Sequence, residues 1–381
     1  MKILISATYF HPYSSGLSVY ALRVARGLAA RGHEVRVLTS RYDDKLASEE
    51  VLDGVRIHRV DVGMRLSKGV IMPGLWKQAK KLVAWADAVN VHLPQFESFV
   101  IARLAKRFNK PLVVTYHCDL VMSGGWFDRL AGWGTTLLGK SALNNAAVII
   151  QNTLDYAQHS RTLQPYLDKV VEVPTPVVMC PSTRGERLAF RERFGLAEGD
   201  KVIGLAGRVA SEKGYDYLAQ ALPAVWDRFP SARVVHAGSW KGVIGEEAYL
   251  AKVEAMVRRF GKKWTSLGFL TDGYFMRCFA ACDLLVCSSL NATESFGIVQ
   301  IEALSQGTPV VASDLPGVRQ PVLQTGRGRI VPVRNAGALA EAIIALLDDE
   351  TDVGIIPEAY LEPFKQENVA ERYLEIFRSV D

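Results

Sequence analysis

The sequence is poor in the patterns that tie a protein to covalent or metal chemistry. Its 381 residues include five cysteines, Cys118, Cys180, Cys278, Cys282 and Cys287, an odd number with no Cys-x-x-Cys pair. That excludes a disulfide scaffold and leads us to expect reduced thiols. Cys278 and Cys282 sit four apart on an expected helix, but no His joins them nearby, so no metal site is expected there. No apolar stretch reaches the roughly 18 residues of a membrane span. The apolar start, residues 3–7, is too short for a signal-peptide core and is followed by His11-Pro12, so a cytoplasmic protein is expected. Asp-x-Asp is absent. A diphosphate ligand would then have its charge neutralised by protein groups rather than by a carboxylate-held divalent metal. G-x-G-x-x-G is also absent, since Gly326 and Gly328 lack the third glycine, which argues against a nicotinamide dinucleotide. Residues 134–141, GTTLLGKS, match the phosphate-loop pattern, but the preceding residues 126–133 contain Asp128 and Arg129 and no short apolar strand. An NTPase site is therefore not expected.

What is present is globular. Hydrophobic residues make up 49% and charged residues 22%, and the length suits two domains. Charge is uneven. Residues 1–173 carry 22 Lys+Arg against 14 Asp+Glu, and residues 174–381 carry 23 against 26. A basic first half can attract phosphate or anionic lipid, whereas no aromatic–basic nucleic-acid module is recognisable. Short apolar runs predict strands at 3–5, 34–39, 55–60, 88–91, 112–116 and 148–150. A second series follows at 202–206, 233–237, 284–287, 310–312 and 329–331. Helical spacing lies between most of them, as in Leu17, Tyr20, Ala21, Val24 and Leu28. The alternation predicts an α/β protein of two doubly wound domains, with ligands beyond the carboxyl ends of the strands. Val173-Pro174-Thr175-Pro176 reads as a hinge, because its prolines cannot join a helix. Residues 368–380 form a final amphipathic helix through Val369, Tyr373, Ile376 and Phe377.

The densest chemical signal is residues 291–319, NATESFGIVQIEALSQGTPVVASDLPGVR. Glu294 precedes an expected helix start at 295–297, and Glu302 lies inside that helix. Eight helical residues would separate the two carboxylates by about 12 Å, which suits the two ends of an extended ligand. The N–H groups of Phe296, Gly297 and Ile298 would be unpaired helix-start donors forming an anion site, with Gly297 permitting close approach. Residues 204–214 place Arg208 and Lys213 five apart on a loop after a strand, a planar fork and a point charge suited to a diphosphate. A further strand presents His117 at its carboxyl end, within Val113-Val114-Thr115-Tyr116-His117-Cys118-Asp119.

Together these segments resemble glycosyltransferase family 4, a retaining family with the GT-B fold of two Rossmann-like domains facing a central cleft. The resemblance spans nearly the whole chain. Glu294 to Glu302 matches the family's E-x7-E signature, and the match continues through Glu302-Ala303-Leu304 and Gly307-Thr308-Pro309-Val310-Val311. Gly207-Arg208 with Glu212-Lys213-Gly214 matches its G-R…E-K-G loop. Residues 31–35 (RGHEV) and 368–372 (NVAER) are also similar to family segments. The resemblance implies an acceptor-binding domain over 1–173, a nucleotide-sugar domain over 174–360 and a closing helix, 361–381, that returns to the first domain. It implies that Arg208 and Lys213, with Gly207 in their loop, hold the donor diphosphate. Glu302 takes the ribose and Glu294 orients the transferred sugar. His117 reaches the sugar from the opposite domain, and Gly16 lets the first helix approach the phosphates. The family often has paired glycines there, whereas this chain has Gly16-Leu17.

The function so implied is retaining, metal-independent transfer of a hexose from a UDP- or GDP-sugar to a hydroxyl. The acceptor would be a sugar or lipid-linked sugar in polysaccharide or glycolipid synthesis, and no cofactor is expected. A nucleotide-sugar epimerase, a phosphorylase or a noncatalytic sugar-binding protein of the same fold are the alternatives. Two segments bear on the acceptor. Residues 73–85 read as a basic amphipathic helix, with Leu75, Trp76, Ala79, Leu82 and Val83 on one side and Lys77, Lys80 and Lys81 on another. Trp126, Phe127, Leu130 and Trp133 form an aromatic stretch. Such segments suit contact with an anionic membrane surface, at the inner face of the cell membrane.

Overall fold

The structure is a computed structural model that describes residues 1–66, 69–121, 126–243, 245–349 and 356–380. The chain divides into two compact units, Met1–Pro176 with Pro363–Asp381, and Val177–Glu362.

The first unit is built on an eight-stranded sheet. Its strands are β1 (Lys2–Ser6), β2 (Glu34–Arg41), β3 (Glu49–Leu52), β4 (Val55–Asp61), β7 (Ala88–Leu93), β8 (Leu112–Tyr116), β9 (Val148–Gln151) and β10 (Val170–Glu172). A separate two-stranded hairpin comprises β5 (Met64–Leu66) and β6 (Gly69–Ile71). The sheet order is β10-β9-β8-β7-β1-β2-β4-β3, parallel except for the β3–β4 pair. β7 and β8 are buried along their whole length, as expected of parallel strands covered on both faces. The strand order reverses between the parallel neighbours β1 and β7, so the carboxyl ends of these strands form the position where such sheets bind ligands.

The helix Gly16–Ala30 opens with a capping box, Ser15 and Ser18 each bonding the other's backbone N–H. Its buried face includes Tyr20, Ala21, Val24, Ala25 and Leu28. The final helix, Gln366–Ser379, packs there, and Val369, Ala370, Tyr373, Leu374 and Phe377 join the same core as Ile3, Val35 and Ile57. Gly27 allows this approach, since a Cβ on it would lie 2.8 Å from that of Ala370. Each such fully buried large side chain contributes about 1.5–3 kcal/mol. Two hydroxyl contacts lock the register: Tyr373 Oη lies 2.9 Å from Thr115 Oγ1 and 3.1 Å from Tyr20 Oη. The proline segment before the second unit is held here too. Val173 and Thr175 are buried, and Arg23 donates to the Pro176 carbonyl.

The second unit has a fully parallel sheet of order β13-β12-β11-β14-β15-β16. Its strands are β11 (Val202–Ala206), β12 (Arg233–Ala237), β13 (Trp264–Gly268), β14 (Leu284–Cys287), β15 (Val310–Ser313) and β16 (Gly328–Val331). The helices Tyr215–Arg228 and Ala336–Asp348 pack apolar faces, among them Leu218, Leu222, Val225, Leu339 and Ile343, onto one side of it. The order reverses between β11 and β14, and the loops after these two strands carry the charged residues described next.

Residues 134–141 are interior to the continuous helix Trp126–Asn145, so the phosphate-loop pattern lies on a helix and not on a loop after a strand. One expectation from the sequence is corrected. The apolar stripe of residues 73–85 does not lie free. Leu75, Ala79, Leu82 and Val83 of the helix Leu75–Trp85 are buried, while Trp76 is exposed and does not share their side. Docking that stripe on the sheet removes it from water, the usual fate of an amphipathic helix.

Candidate active site

In the second unit the site begins where β11 ends. Gly207 has φ +120°, and its N–H donates to Ala237 O at 2.9 Å. Its own carbonyl accepts from His236 Nε2 at 2.7 Å and from the Tyr215 hydroxyl at 3.3 Å. Burial pulls His236 down to about 4, so it is a neutral donor. The chain then runs through Arg208 into a short turn, Ser211–Lys213, closed by Gly214 at φ +66°. A Cβ on Gly214 would meet the Ser288 carbonyl at 2.2 Å. That close approach lets Ser288 Oγ donate to the Lys213 carbonyl at 2.9 Å, while Leu290 N–H donates to Glu212 O at 2.8 Å. The loop after β11 is thereby stitched to the loop after β14.

This stitching brings Lys213 to Glu294, 81 positions away in sequence, and the ammonium donates directly to the carboxylate. Burial is the strongest single influence on Lys213 and lowers its pKa, but the Glu294 carboxylate, through its charge and its hydrogen bond, together with Cys287 and Glu212, outweighs it and holds the amine above its ordinary value. Arg208 donates to Glu212 Oε1 at 2.7 Å. Both cations remain partly exposed, 28% for Arg208 and 22% for Lys213. Among the described residues each has one side-chain acceptor, so most of their N–H donors remain available to an anion.

The expected helix start is corrected. Residues 291–297 are not helical, and the helix is Ile298–Leu304, with Gly297 at φ +79° before it. Helical rise therefore does not run from Glu294 to Glu302, and the 12 Å separation does not follow. The cause is Gln300. Its amide donates to Phe296 O at 2.7 Å and Val318 O at 2.9 Å, pinning the preceding loop, and a Cβ on Gly297 would lie 2.8 Å from that nitrogen. Phe296 is buried and Ile298 half-buried at the head of this helix, and Glu302 is buried on it.

In the first unit, His117 follows β8 and is 8% exposed. His92, the next-to-last residue of β7, places Nδ1 2.9 Å from His117 Nε2, with the rings stacked at 5.1 Å. Tyr20 packs edge-on against His117 at 4.9 Å. Burial pulls His117 down to about 3 and His92 well below the ordinary histidine value, so both are neutral at physiological pH. Gly16 is the first residue of its helix, and a Cβ there would meet nothing within 4 Å.

Several groups had no signal in the sequence. His92 sits in AVNVHL, which reads simply as a strand. His236 acts only through tertiary contacts, whereas Glu212 lies in the matched E-K-G loop and only its bond to Arg208 went unread. Glu97 is buried near the ends of β1 and β7, accepts from Thr8 Oγ1 at 3.0 Å, and is pushed up to about 7 by burial. Among the described residues, no group of three or more His, Cys, Asp or Glu side chains is placed to hold a metal ion. Cys282 Sγ donates to the Cys278 carbonyl at 3.1 Å, a helix back-bond.

Comparison with known proteins agrees with this geometry. Residues 15–176 match the family described as "Glycosyl transferase 4-like domain", and residues 186–361 match "Glycosyl transferases group 1". A D-inositol 3-phosphate glycosyltransferase from Xylanimonas cellulosilytica is 30% identical over 372 residues, covering 88% of this chain and 84% of the relative. A phosphatidyl-myo-inositol mannosyltransferase from Mycobacterium leprae is 26% identical over 356 residues, covering 92% and 88%. The solved structure of Anabaena HepE in complex with UDP-glucose superposes with a TM-score of 0.79 at 20% identity, covering 100% of both chains. The two Rossmann-like halves are those of a GT-B glycosyltransferase. The chain belongs to glycosyltransferase family 4.

Proposed function

We propose that this glycosyltransferase moves a hexose, with retention, from a UDP- or GDP-sugar to a hydroxyl of a sugar or lipid-linked polyol, without a metal ion. The observation that carries the reading is the convergence of Arg208, Lys213 and Glu294 on loops joined at the carboxyl ends of β11 and β14. Cleavage of the bond from the anomeric carbon to the phosphate oxygen leaves positive charge on the sugar and adds negative charge to the departing diphosphate. Prearranged cations stabilise that negative charge where it develops. Arg208 and Lys213 take this role, with Gly207 and Gly16 allowing the phosphates close approach. Phe296, Gly297 and Ile298 line the donor beside them. Glu302 holds the ribose, Glu294 orients the sugar hydroxyls, and His117 donates to or accepts from the sugar as a neutral imidazole. The acceptor oxygen attacks from the face the diphosphate leaves, and the leaving phosphate oxygen takes the acceptor's proton. A nucleotide donor is supported by the likeness to a neighbour solved with UDP-glucose. A polyol acceptor is supported by the two relatives, named for a phosphatidyl-myo-inositol and a D-inositol 3-phosphate.

Calorimetric titration with UDP-, GDP- and ADP-sugars tests this reading. One of the first two should bind in the micromolar to millimolar range, equally well with chelator. Binding lost in chelator would remove the metal-independent account. Binding unchanged in Arg208→Ala would remove Arg208 from the site.

The surface of the first unit supports acceptor delivery at an anionic membrane, which we place at the inner face of the cell membrane. The helix Ser98–Arg107 packs against both Leu75–Trp85 and Trp126–Asn145. On Trp126–Asn145 the residues Trp126, Leu130, Trp133 and Leu137, spaced four, three and four apart, are 49–77% exposed. The Phe127 side chain lies outside the described residues. Lys77, Lys80, Lys81, Arg103, Lys106 and Arg107 are exposed on the two neighbouring helices. Apolar rings beside lysines and arginines match the boundary of an anionic bilayer. No helix among the described residues is long and apolar enough to cross a membrane. Flotation with phosphatidylglycerol vesicles should capture the protein at low salt, phosphatidylcholine vesicles should not, and Trp126→Ser with Trp133→Ser should abolish capture. Capture unaffected by the double change would place the contact elsewhere.

A further inference from the structure

We propose that His92 is a positioning residue that donates from Nδ1 to His117 Nε2, fixing His117 as the tautomer that presents an Nδ1–H donor to the sugar. This rests on the sugar-binding role given to His117 above.

The argument is one of proton accounting. The two rings share one hydrogen bond of 2.9 Å, and burial keeps both neutral, so together they carry two ring protons. One proton lies in the shared bond, and the other sits on an outer nitrogen. His92 Nε2 is buried with no partner among the described residues. If His117 Nε2–H were the donor, His92 would carry its proton on that orphaned Nε2. A buried N–H without an acceptor is rarer in proteins than an acceptor lacking a donor, because it loses its hydrogen bond to water and gains none in return. With His92 Nδ1–H as donor, His92 Nε2 is a bare lone pair. The remaining proton then moves to His117 Nδ1, on the ring that keeps some exposure. His117 Nδ1 has no partner among the described residues, so that N–H is available to a hydroxyl oxygen.

The surroundings hold this pair in place. Asn90 and His92 on β7, Thr115 on β8 and His117 just after it form a polar row, His92 lying in register with Thr115. The Asn90 amide donates to Thr115 Oγ1 at 3.0 Å, and His117 N–H donates to Leu93 O at 2.8 Å. Tyr20 closes the row edge-on, at 4.9 Å from His117 and 6.1 Å from His92, and is itself bonded to Tyr373. No carboxylate contacts either ring among the described residues. The usual carboxylate orienter of a functional imidazole is replaced here by a second imidazole. That choice leaves His117 uncharged beside a sugar that gains positive charge during transfer.

Two measurements test this. Nitrogen-15 spectra of the histidine rings in the unaltered protein, assigned by replacing each of the seven histidines in turn, should show His117 protonated on Nδ1 and bare on Nε2. The reverse pattern overturns the proposal. In steady-state assays, His92→Leu should lower kcat by about 10- to 100-fold, the range expected when a buried hydrogen-bonding group loses its partner, with a smaller change in donor KM. His92→Asn, whose amide nitrogen can occupy the Nδ1 position, should stay within about threefold, the cost of a slightly displaced hydrogen bond. Equal losses in both variants would reduce His92 to packing and overturn the proposal. Full turnover in His117→Ala would refute the sugar-binding role itself. That failure is told apart from the first because the tautomer is read without substrate.

Discussion

Lys213→Ala should lower kcat by about two to three orders of magnitude, the range seen when one prearranged stabiliser of developing negative charge is removed. The loss is double in origin. The cation that meets the diphosphate disappears, and Glu294, which accepts directly from Lys213, loses the partner that aims it. Fold should survive, because the side chain is partly exposed and the turn around it is held through backbone groups, Ser288 Oγ to Lys213 O and Leu290 N–H to Glu212 O. Steady-state turnover with saturating donor, together with a thermal melt, separates the two effects. A normal melting temperature with near-normal kcat would take Lys213 out of the chemistry.

Gly238→Ala should damage stability and donor binding together, though residue 238 carries no functional group. Gly238 has φ +144°, and a Cβ there would lie 2.0 Å from the Gly207 carbonyl oxygen. That oxygen is also the acceptor for His236 and Tyr215, so it cannot retreat without breaking both bonds. Backbone strain of this kind costs about 1–3 kcal/mol, and the displaced Gly207 would carry Arg208 with it. The expected result is a melting temperature lowered by several degrees and a nucleotide affinity weakened about tenfold or more, since about 1.4 kcal/mol is a factor of ten. Unchanged affinity in a folded Gly238→Ala protein would show that the position of Gly207 does not govern the donor loop.

The two cases show which parts of the protein the chain's residue pattern exposes. Strands buried on both faces announce themselves as unbroken apolar runs, and β8, β11, β12 and β14 lie where such runs predict them. The helix Gly16–Ala30 is equally plain, because its buried residues recur at helical spacing. β13 is not: Trp264–Gly268 is only partly buried, and it follows a turn kinked at Gly261. The hairpin strands β5 and β6 and the edge strand β3 are only three or four residues long, too short to show a period. Within the site, residue types and loop positions were readable for Arg208, Lys213 and Glu294, whereas the contacts they make were not. Glu294 reaches Lys213 only because Gly214 admits the Ser288 carbonyl. The helix after Gly297 starts later than expected because a single amide, that of Gln300, holds carbonyls at 296 and 318. Contacts of that kind depend on three-dimensional closeness and leave no periodic trace.

The helix Gln366–Ser379 completes the core of the unit that begins the chain. During synthesis, which delivers the amino end first, β1, β2 and the helix Gly16–Ala30 leave the ribosome long before the surface that will cover Tyr20 and Leu28. Their partner arrives only after Val177–Glu362 has been made. The half whose synthesis starts first therefore cannot close its apolar core until the later half has been made.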